Sequence, residues 1–108
     1  MDQTYQVVIT EQAESSLKSI VDYLIQTASD SVAEKVRAGI VAELKKLARM
    51  PQKNPLLRGV DNLVITYRRV LKWSYRIIYT IEEEDLLVIV VEIDHSNRNP
   101  IELEKILI

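Results

Sequence analysis

Apolar residues in the first half of the chain recur at the three- and four-residue spacing of amphipathic helices. The first stripe comprises Ala13, Leu17, Ile20, Val21 and Leu24. The second comprises Ala33, Val36, Ile40, Leu44 and Leu47. Thr10 is placed to cap the first helix, and Ser31 with Glu34 has capping-box spacing for the second. We therefore predict two helices, the second ended by Pro51, that are joined by a few residues into an antiparallel hairpin.

Four other segments have the composition of β-strands, with β-branched and aromatic residues in partial alternation. They are residues 4–9, 63–70, 73–82 and 86–94. The third segment places Tyr75 and Tyr79 on one face and Arg76 on the other. The fourth is apolar on both faces except at Glu92, which is typical of a central strand that is covered on both sides.

The order strand, helix, helix, strand, strand, strand predicts an α+β fold. In this fold the N-terminal strand and three later strands form a mainly antiparallel four-stranded sheet. The helical hairpin packs on one face of that sheet, and residues 101–108 form a short C-terminal tail. A chain of 108 residues is long enough for one core and too short for two, so residues 1–108 are predicted to be a single domain.

The residue composition narrows the chemistry. The chain has no cysteine and one histidine, which excludes a disulfide framework, a thiolate metal site and a zinc site built from several imidazoles. We expect no metal and no cofactor. The first four residues are polar rather than a basic region leading into an apolar one, and no apolar run has the length of a membrane span. We therefore expect a cytoplasmic protein without membrane contact.

Charge is segregated along the chain although the net charge is only −2. Residues 35–76 contain eleven lysines or arginines and only two acids, Glu43 and Asp61. The other residues contain three basic and fourteen acidic side chains. A folded domain with this distribution has a polarised field, which steers an oppositely charged partner towards one side of the molecule.

Several segments together resemble the RelE/ParE superfamily of type II toxins, over nearly the whole chain. The matching pieces are Tyr23 in the first helix and the segments LARMP (47–51), YRR (67–69), YRIIY (75–79), VIVVEI (88–93) and HSNRNP (95–100). The resemblance implies a toxin that a small antitoxin holds inactive by wrapping its C-terminal segment around it. It also implies that operator DNA is contacted only through the antitoxin. A homodimer and a hetero-oligomer with the antitoxin both remain open.

Two branches of this superfamily differ in their target. The RelE-like branch cuts mRNA in the ribosomal A site, whereas the ParE-like branch poisons DNA gyrase. RelE-like enzymes carry an arginine and a later tyrosine near the C-terminus, where this chain aligns Asn97 and Leu103. A neutral amide cannot stabilise a developing phosphorane charge as a guanidinium can, and leucine offers no proton. These departures and the low isoelectric point of about 5.4 favour the ParE-like branch. A third hypothesis is an inactive member that acts only in an antitoxin–operator complex.

The resemblance also assigns roles to single residues. In a nuclease, Arg76 would clamp the phosphate, His95 would transfer protons and Arg98 would supply charge. In a gyrase inhibitor, the candidates for contacting the target or the antitoxin are Arg68, Arg69, Trp73, Arg76, His95 and Arg98.

Each of these residues also has a structural interpretation. Arg76 is either an anion-binding residue on an exposed sheet face or an arginine paired with a nearby acid. His95 is either functional or a hydrogen-bonded residue at a strand end, and Arg98 is a loop residue that binds or is simply solvated. Because side chains alternate along a strand, only one of Arg68 and Arg69 can share a face with Arg76.

Overall fold

The computed structural model describes residues 3–58 and 64–97. Its elements are β1 (Gln6–Ile9), α1 (Glu11–Thr27), α2 (Asp30–Lys46), a 3₁₀ turn (Pro51–Lys53), β2 (Arg68–Lys72), β3 (Tyr75–Glu82) and β4 (Leu87–His95). The predicted order of elements and the α+β class are confirmed. The predicted tail over 101–108 lies outside the described residues.

The two helices begin at polar caps. The Oγ1 atom of Thr10 accepts a hydrogen bond of 3.1 Å from the N–H of Ala13, as predicted. The second prediction was wrong, because Ser29 rather than Ser31 caps α2 by accepting from the N–H of Val32 at 3.1 Å. The link between the helices is therefore shorter than the sequence indicated, which draws the two helices into a tight hairpin.

α2 ends before Pro51, and a tertiary contact lies between the helix end and the proline. The helix ends at Lys46, and Arg49 already forms an antiparallel bridge with Thr4 before the start of β1. The N–H of Tyr5 donates to the carbonyl of Ala48 at 2.8 Å. The carbonyl of Ala48 is therefore unavailable for another helical turn, whereas the N–H of Arg49 still donates to the carbonyl of Lys46 at 3.2 Å.

The sheet has the strand order β1-β4-β3-β2, with β1 parallel to β4 and the other pairs antiparallel. β4 lies between β1 and β3, which confirms the prediction of a central strand. Several predicted strand boundaries differ from the observed ones. Residues 73 and 74 form the two-residue turn between β2 and β3 because Lys72 pairs with Tyr75. β2 extends from Arg68 to Lys72, and its predicted start at residue 63 lies outside the described residues.

A bulge in β4 changes which side chains face the helices. Ile77 pairs with Ile93, but two residues later Tyr79 pairs with Val90, so Val91 is an extra residue in β4. A bulge of this kind interrupts the alternation of side chains. Ile93 and Val90 therefore both lie in the core beneath the helices, while Val91 packs on the other face.

The helical hairpin covers one face of the sheet and forms the main core. Its fully buried residues are Tyr5, Ala13, Ile40, Leu44, Leu47, Ile77, Tyr79, Val88, Val90 and Ile93. The opposite face has a smaller cluster of Leu57, Tyr67 and Ile78, against which Val91 packs. None of the helices within residues 3–58 and 64–97 is both long and apolar enough to cross a bilayer.

Candidate functional site

Arg76 is a buried member of an ion pair. Its side chain lies directly across the strand pair from Asp94, and the residue is only 8% exposed. Nε donates to Oδ1 of Asp94 at 3.0 Å and Nη2 donates to Oδ2 at 2.8 Å. The pairing with a nearby acid is therefore correct, whereas the prediction that Arg76 lies on an exposed face was wrong. The sequence pattern could not reveal that an aspartate on β4 stands in register with it.

His95 lies at the opposite side of the sheet, at the exposed end of β4. Its ring meets the ring of Tyr75 edge-on, with centroids 5.7 Å apart and planes inclined by 70°. Both rings line an open pocket of about 330 Å³ together with Ser19, Ile20 and Tyr23 of α1. The sequence pattern placed His95 in phase with Val91, but the bulge moves it to the face covered by the helices.

Arg68 and Arg69 point to different faces, and the strand register decides which is which. Arg69 stands opposite Ile78 and so shares the face of Arg76. Arg68 stands opposite Tyr79 on the helix side, where Nη1 donates to the carbonyl of Asn54 at 2.7 Å. Of the two arginines, Arg69 is thus the one that lies beside the Arg76–Asp94 pair.

The predicted nuclease residues are therefore not brought together in the described part of the chain. Arg76 and His95 lie on opposite faces of the sheet, and the guanidinium of Arg76 already donates to a carboxylate. Arg98 lies outside the described residues. Cleavage of a phosphodiester requires charge stabilisation and proton transfer at one reacting group, which two opposite faces cannot supply together.

A polar cluster that the sequence did not reveal joins the segment before β1, the 3₁₀ turn and the turn between β3 and β4. The hydroxyl of Tyr5 donates to Oε2 of Glu83 at 2.7 Å, and Nε2 of Gln52 donates to both side chains. The hydrogen bond to the carboxylate raises the pKa of the Tyr5 phenol, and the same bond lowers the pKa of Glu83. Glu83, although it lies in the turn between β3 and β4, is therefore bonded to the segment before β1. No local pattern could have indicated partners 78 residues apart.

A second polar contact fixes the loop that follows α2. The hydroxyl of Tyr79 donates to the carbonyl of Pro51 at 2.6 Å and accepts from Nδ2 of Asn54 at 2.9 Å. Burial raises the pKa of this phenol, while the bond from Asn54 acts in the opposite direction. The loop is thereby anchored to the centre of the sheet. Within the described ranges, no group of three carboxylate or imidazole side chains is arranged to hold a metal ion.

Known structures have the same fold. The chromosomal ParDE toxin–antitoxin system from P. aeruginosa matches with a TM-score of 0.70 at 16% identity, over 87% of this chain and 98% of that chain. The toxin–antitoxin complex RelBE2 from Mycobacterium tuberculosis matches with a TM-score of 0.65 at 20% identity, over 88% and 95%. A doubly substituted E. coli RelE toxin in the free state matches at 0.60 and 17%, over 94% of each chain. At these identities the likeness shows the fold alone.

Comparison of the sequence with known families is more specific than the similarity of folds. No curated protein sequence matches this chain. The profile of the family described as "ParE toxin of type II toxin-antitoxin system, parDE" matches residues 7–100, which include both described helices and the described strands except Gln6 at the start of β1. The chain therefore belongs to the ParE toxin family of type II toxin–antitoxin systems.

Proposed function

We propose that this toxin inhibits DNA gyrase by binding to it, without a catalytic site of its own. The family match over residues 7–100 supports this proposal, because the ParE-like branch is the one expected to act on gyrase. The main support for the absence of a catalytic site is that Arg76 and His95 lie on opposite faces of the sheet. The bidentate pair with Asp94 further commits the donors of Arg76 to a role within the fold.

We also propose that a cognate antitoxin neutralises the protein. The ParDE and RelBE2 structures are of toxins with antitoxins, which supports a partner of this kind for the present chain. An apolar groove of about 270 Å³ also supports it, lying between β1 and the helices and lined by Val7, Ile9, Leu17, Val41, Leu44 and Lys45. Burial of such a surface is a source of binding free energy for a protein partner.

Two assays with purified protein test the target. We expect inhibition of gyrase-catalysed DNA supercoiling and no cleavage of mRNA on translating ribosomes. Codon-specific mRNA cuts together with unaffected supercoiling would favour the RelE-like alternative. Failure in both assays, with no growth arrest in cells that contain the soluble protein, would favour the inactive family member.

His95→Ala separates binding from catalysis. The imidazole is the only side chain of the sequence whose unperturbed pKa lies near neutrality, so a nuclease would depend on it. We expect the variant to arrest growth and inhibit gyrase nearly as well as the parent protein. Complete loss of toxicity in a correctly folded variant would contradict the non-catalytic proposal.

A further inference from the structure

Trp73 occupies an unfavourable backbone position. It is the first residue of the two-residue turn between β2 and β3, and its φ is 53°. Such turns normally place glycine or asparagine at positive φ, because a Cβ atom is crowded there. Strained residues of this kind persist where the surrounding structure holds them and are frequent at functional sites. The fold therefore retains a bulky aromatic residue where the turn alone would favour a small one.

Two contacts hold the indole in place. A Cβ atom built on Gly39 of α2 would lie 2.5 Å from both Cζ3 and Cη2 of the indole, so only glycine leaves room for the ring against the helix backbone. The ammonium of Lys72 lies 4.6 Å from the ring centroid, within the range of a cation–π interaction. Nevertheless 52% of Trp73 is exposed, which makes it a positioned aromatic side chain with an open surface.

Besides Lys72 of β2, two further lysines lie at the end of α2 and in the 3₁₀ turn. Glu43 lies 4.0 Å from Nζ of Lys72 and 3.3 Å from Nζ of Lys46. Lys46 and Lys53 then line a small pocket of about 180 Å³ together with Glu43, Leu47, Asn54 and Val70. Lys46 and Lys72 thus lie within 4.0 Å of the Glu43 carboxylate, and Lys53 lines the same pocket as Lys46 and Glu43. We name Lys46, Lys53, Lys72 and Trp73 the Trp73 surface.

The strand beside this surface is at the edge of the sheet. At the start of β2 the outer edge is occupied, since Leu56 bridges Arg68 and the N–H of Arg69 donates to the carbonyl of Pro55. Among the described residues, no further bridge reaches Leu71 or Lys72 on that edge. An extended peptide can add to such an edge through backbone hydrogen bonds, with its side chains in neighbouring pockets.

We propose that the Trp73 surface binds an acidic, extended segment of the antitoxin, with an apolar side chain of that segment against the indole. This inference rests on the proposed function and adds to it the place and chemistry of contact. Carboxylates of the segment complement the lysines, and a tryptophan with a positioned ring is a typical anchor of protein interfaces. An extended peptide fits better than nucleic acid, because the open edge at Leu71 offers hydrogen-bonding groups to a peptide backbone and the exposed indole offers an apolar surface to a side chain.

The fluorescence of the protein tests the contact directly, because Trp73 is its only tryptophan. The probe is the protein encoded in the reading frame adjacent to the toxin gene, in a version without tryptophan. On binding, we expect the emission of Trp73 to shift to shorter wavelength and acrylamide quenching to decrease. Tight binding without either change would overturn the inference and leave the proposed function intact. A response to duplex DNA but not to the antitoxin would overturn it as well.

Gly39→Ala provides the sharpest variant, because it changes no group of the Trp73 surface. The added methyl forces the indole away from α2, while alanine is a better helix former than glycine. We expect antitoxin affinity to fall several-fold and the unbound emission of Trp73 to change. Ser31→Ala, an exposed site at the start of the same helix, is the matched control and should leave both unchanged.

Trp73→Ala removes the anchor itself and should weaken binding by at least about tenfold. Circular dichroism before and after binding shows that each variant is folded. Unchanged affinity of both Gly39→Ala and Trp73→Ala would overturn the inference. Growth arrest by the parent toxin and its rescue by the antitoxin are measured in parallel. If neither occurs, the proposed function fails together with the inference, whereas rescue without a Trp73 effect overturns only the inference.

Discussion

The two faces of β3 bury very different chemistry although they belong to one strand. On the helix side, Ile77 and Tyr79 belong to the main apolar core. On the other side, Arg76 pairs with Asp94, and Ile78 belongs to a cluster of only a few residues. Buried residues of β3 are thus stabilised in two ways, by apolar packing or by one specific ionic partner. Substitutions on the two faces should therefore fail for different reasons.

The functional candidates divide along the same boundary. His95 and Arg68 lie on the helix side, while Arg69 and Arg76 lie on the other. Arg68 and Arg69, although adjacent in the sequence, therefore cannot contact the same atom of a ligand. The division accounts for the non-catalytic character that we propose, because no single face carries both the predicted phosphate clamp and the predicted proton donor.

The largest loss of stability is expected from breaking the ion pair between Arg76 and Asp94 on the second face. Arg76→Ala leaves the Asp94 carboxylate buried without its guanidinium, and the loss of one member of a buried pair costs about 3–5 kcal/mol. Urea unfolding measures the change in the free energy of unfolding. Replacing both residues with leucine should cost much less, because neither charge of the pair remains to be buried alone. Equal destabilisation by the single and double variants would contradict this account.

Truncation of neighbouring isoleucines compares apolar packing on the two faces. Ile77 and Ile78 are both fully buried, and replacing a buried isoleucine with alanine costs about 2–5 kcal/mol. We expect Ile77→Ala to lie towards the upper end of that range and Ile78→Ala towards the lower end, because the cluster around Ile78 is smaller. Thermal and urea unfolding of both variants check the order. The reverse order would show that the second face carries more of the packing than its cluster indicates.

Acid sensitivity probes the polar cluster on the helix side. The bond from Tyr5 lowers the pKa of Glu83, so this carboxylate stabilises the fold above its ordinary pKa and loses that contribution as the pH falls through the lowered value. We expect the stability of the parent protein to fall more steeply than that of Glu83→Gln as the pH drops below the ordinary pKa of a glutamate. Glu82→Gln, at the adjacent exposed position, is the matched control. Parallel curves for the parent and Glu83→Gln would contradict the role of this bond.

The smallest effect is expected at His95. The side chain is exposed at the end of β4, so His95→Ala should change the free energy of unfolding by no more than about 0.5 kcal/mol. The free energies of unfolding of His95→Ala and Arg76→Ala, measured under identical conditions, compare an exposed candidate residue with a buried residue of the ion pair. A loss comparable to that of Arg76→Ala would mean that the edge-on contact with Tyr75 supports the fold.

The elements and their order were accessible from the sequence because they depend on local patterns. The stripe from Ala33 to Leu47 predicted the buried face of α2, and Thr10 predicted the start of α1. The segment of β4, which is apolar on both faces except at Glu92, predicted the central position of this strand in the sheet. Periodicity and capping are properties of neighbouring residues, so a linear reading detects them. The resemblance to the RelE/ParE superfamily was likewise available from the sequence and is confirmed by the family match.

The pairing of distant residues was decided only by the tertiary structure. The extra residue Val91 reverses the alternation of β4, and with it the face of His95. The same register places Asp94 opposite Arg76, which turns a predicted anion-binding residue into half of a buried ion pair. Likewise, Gly39 admits the indole of Trp73 although 34 positions separate them in the sequence. Strand register and close packing depend on which segments meet in space, and no periodicity within one segment encodes that.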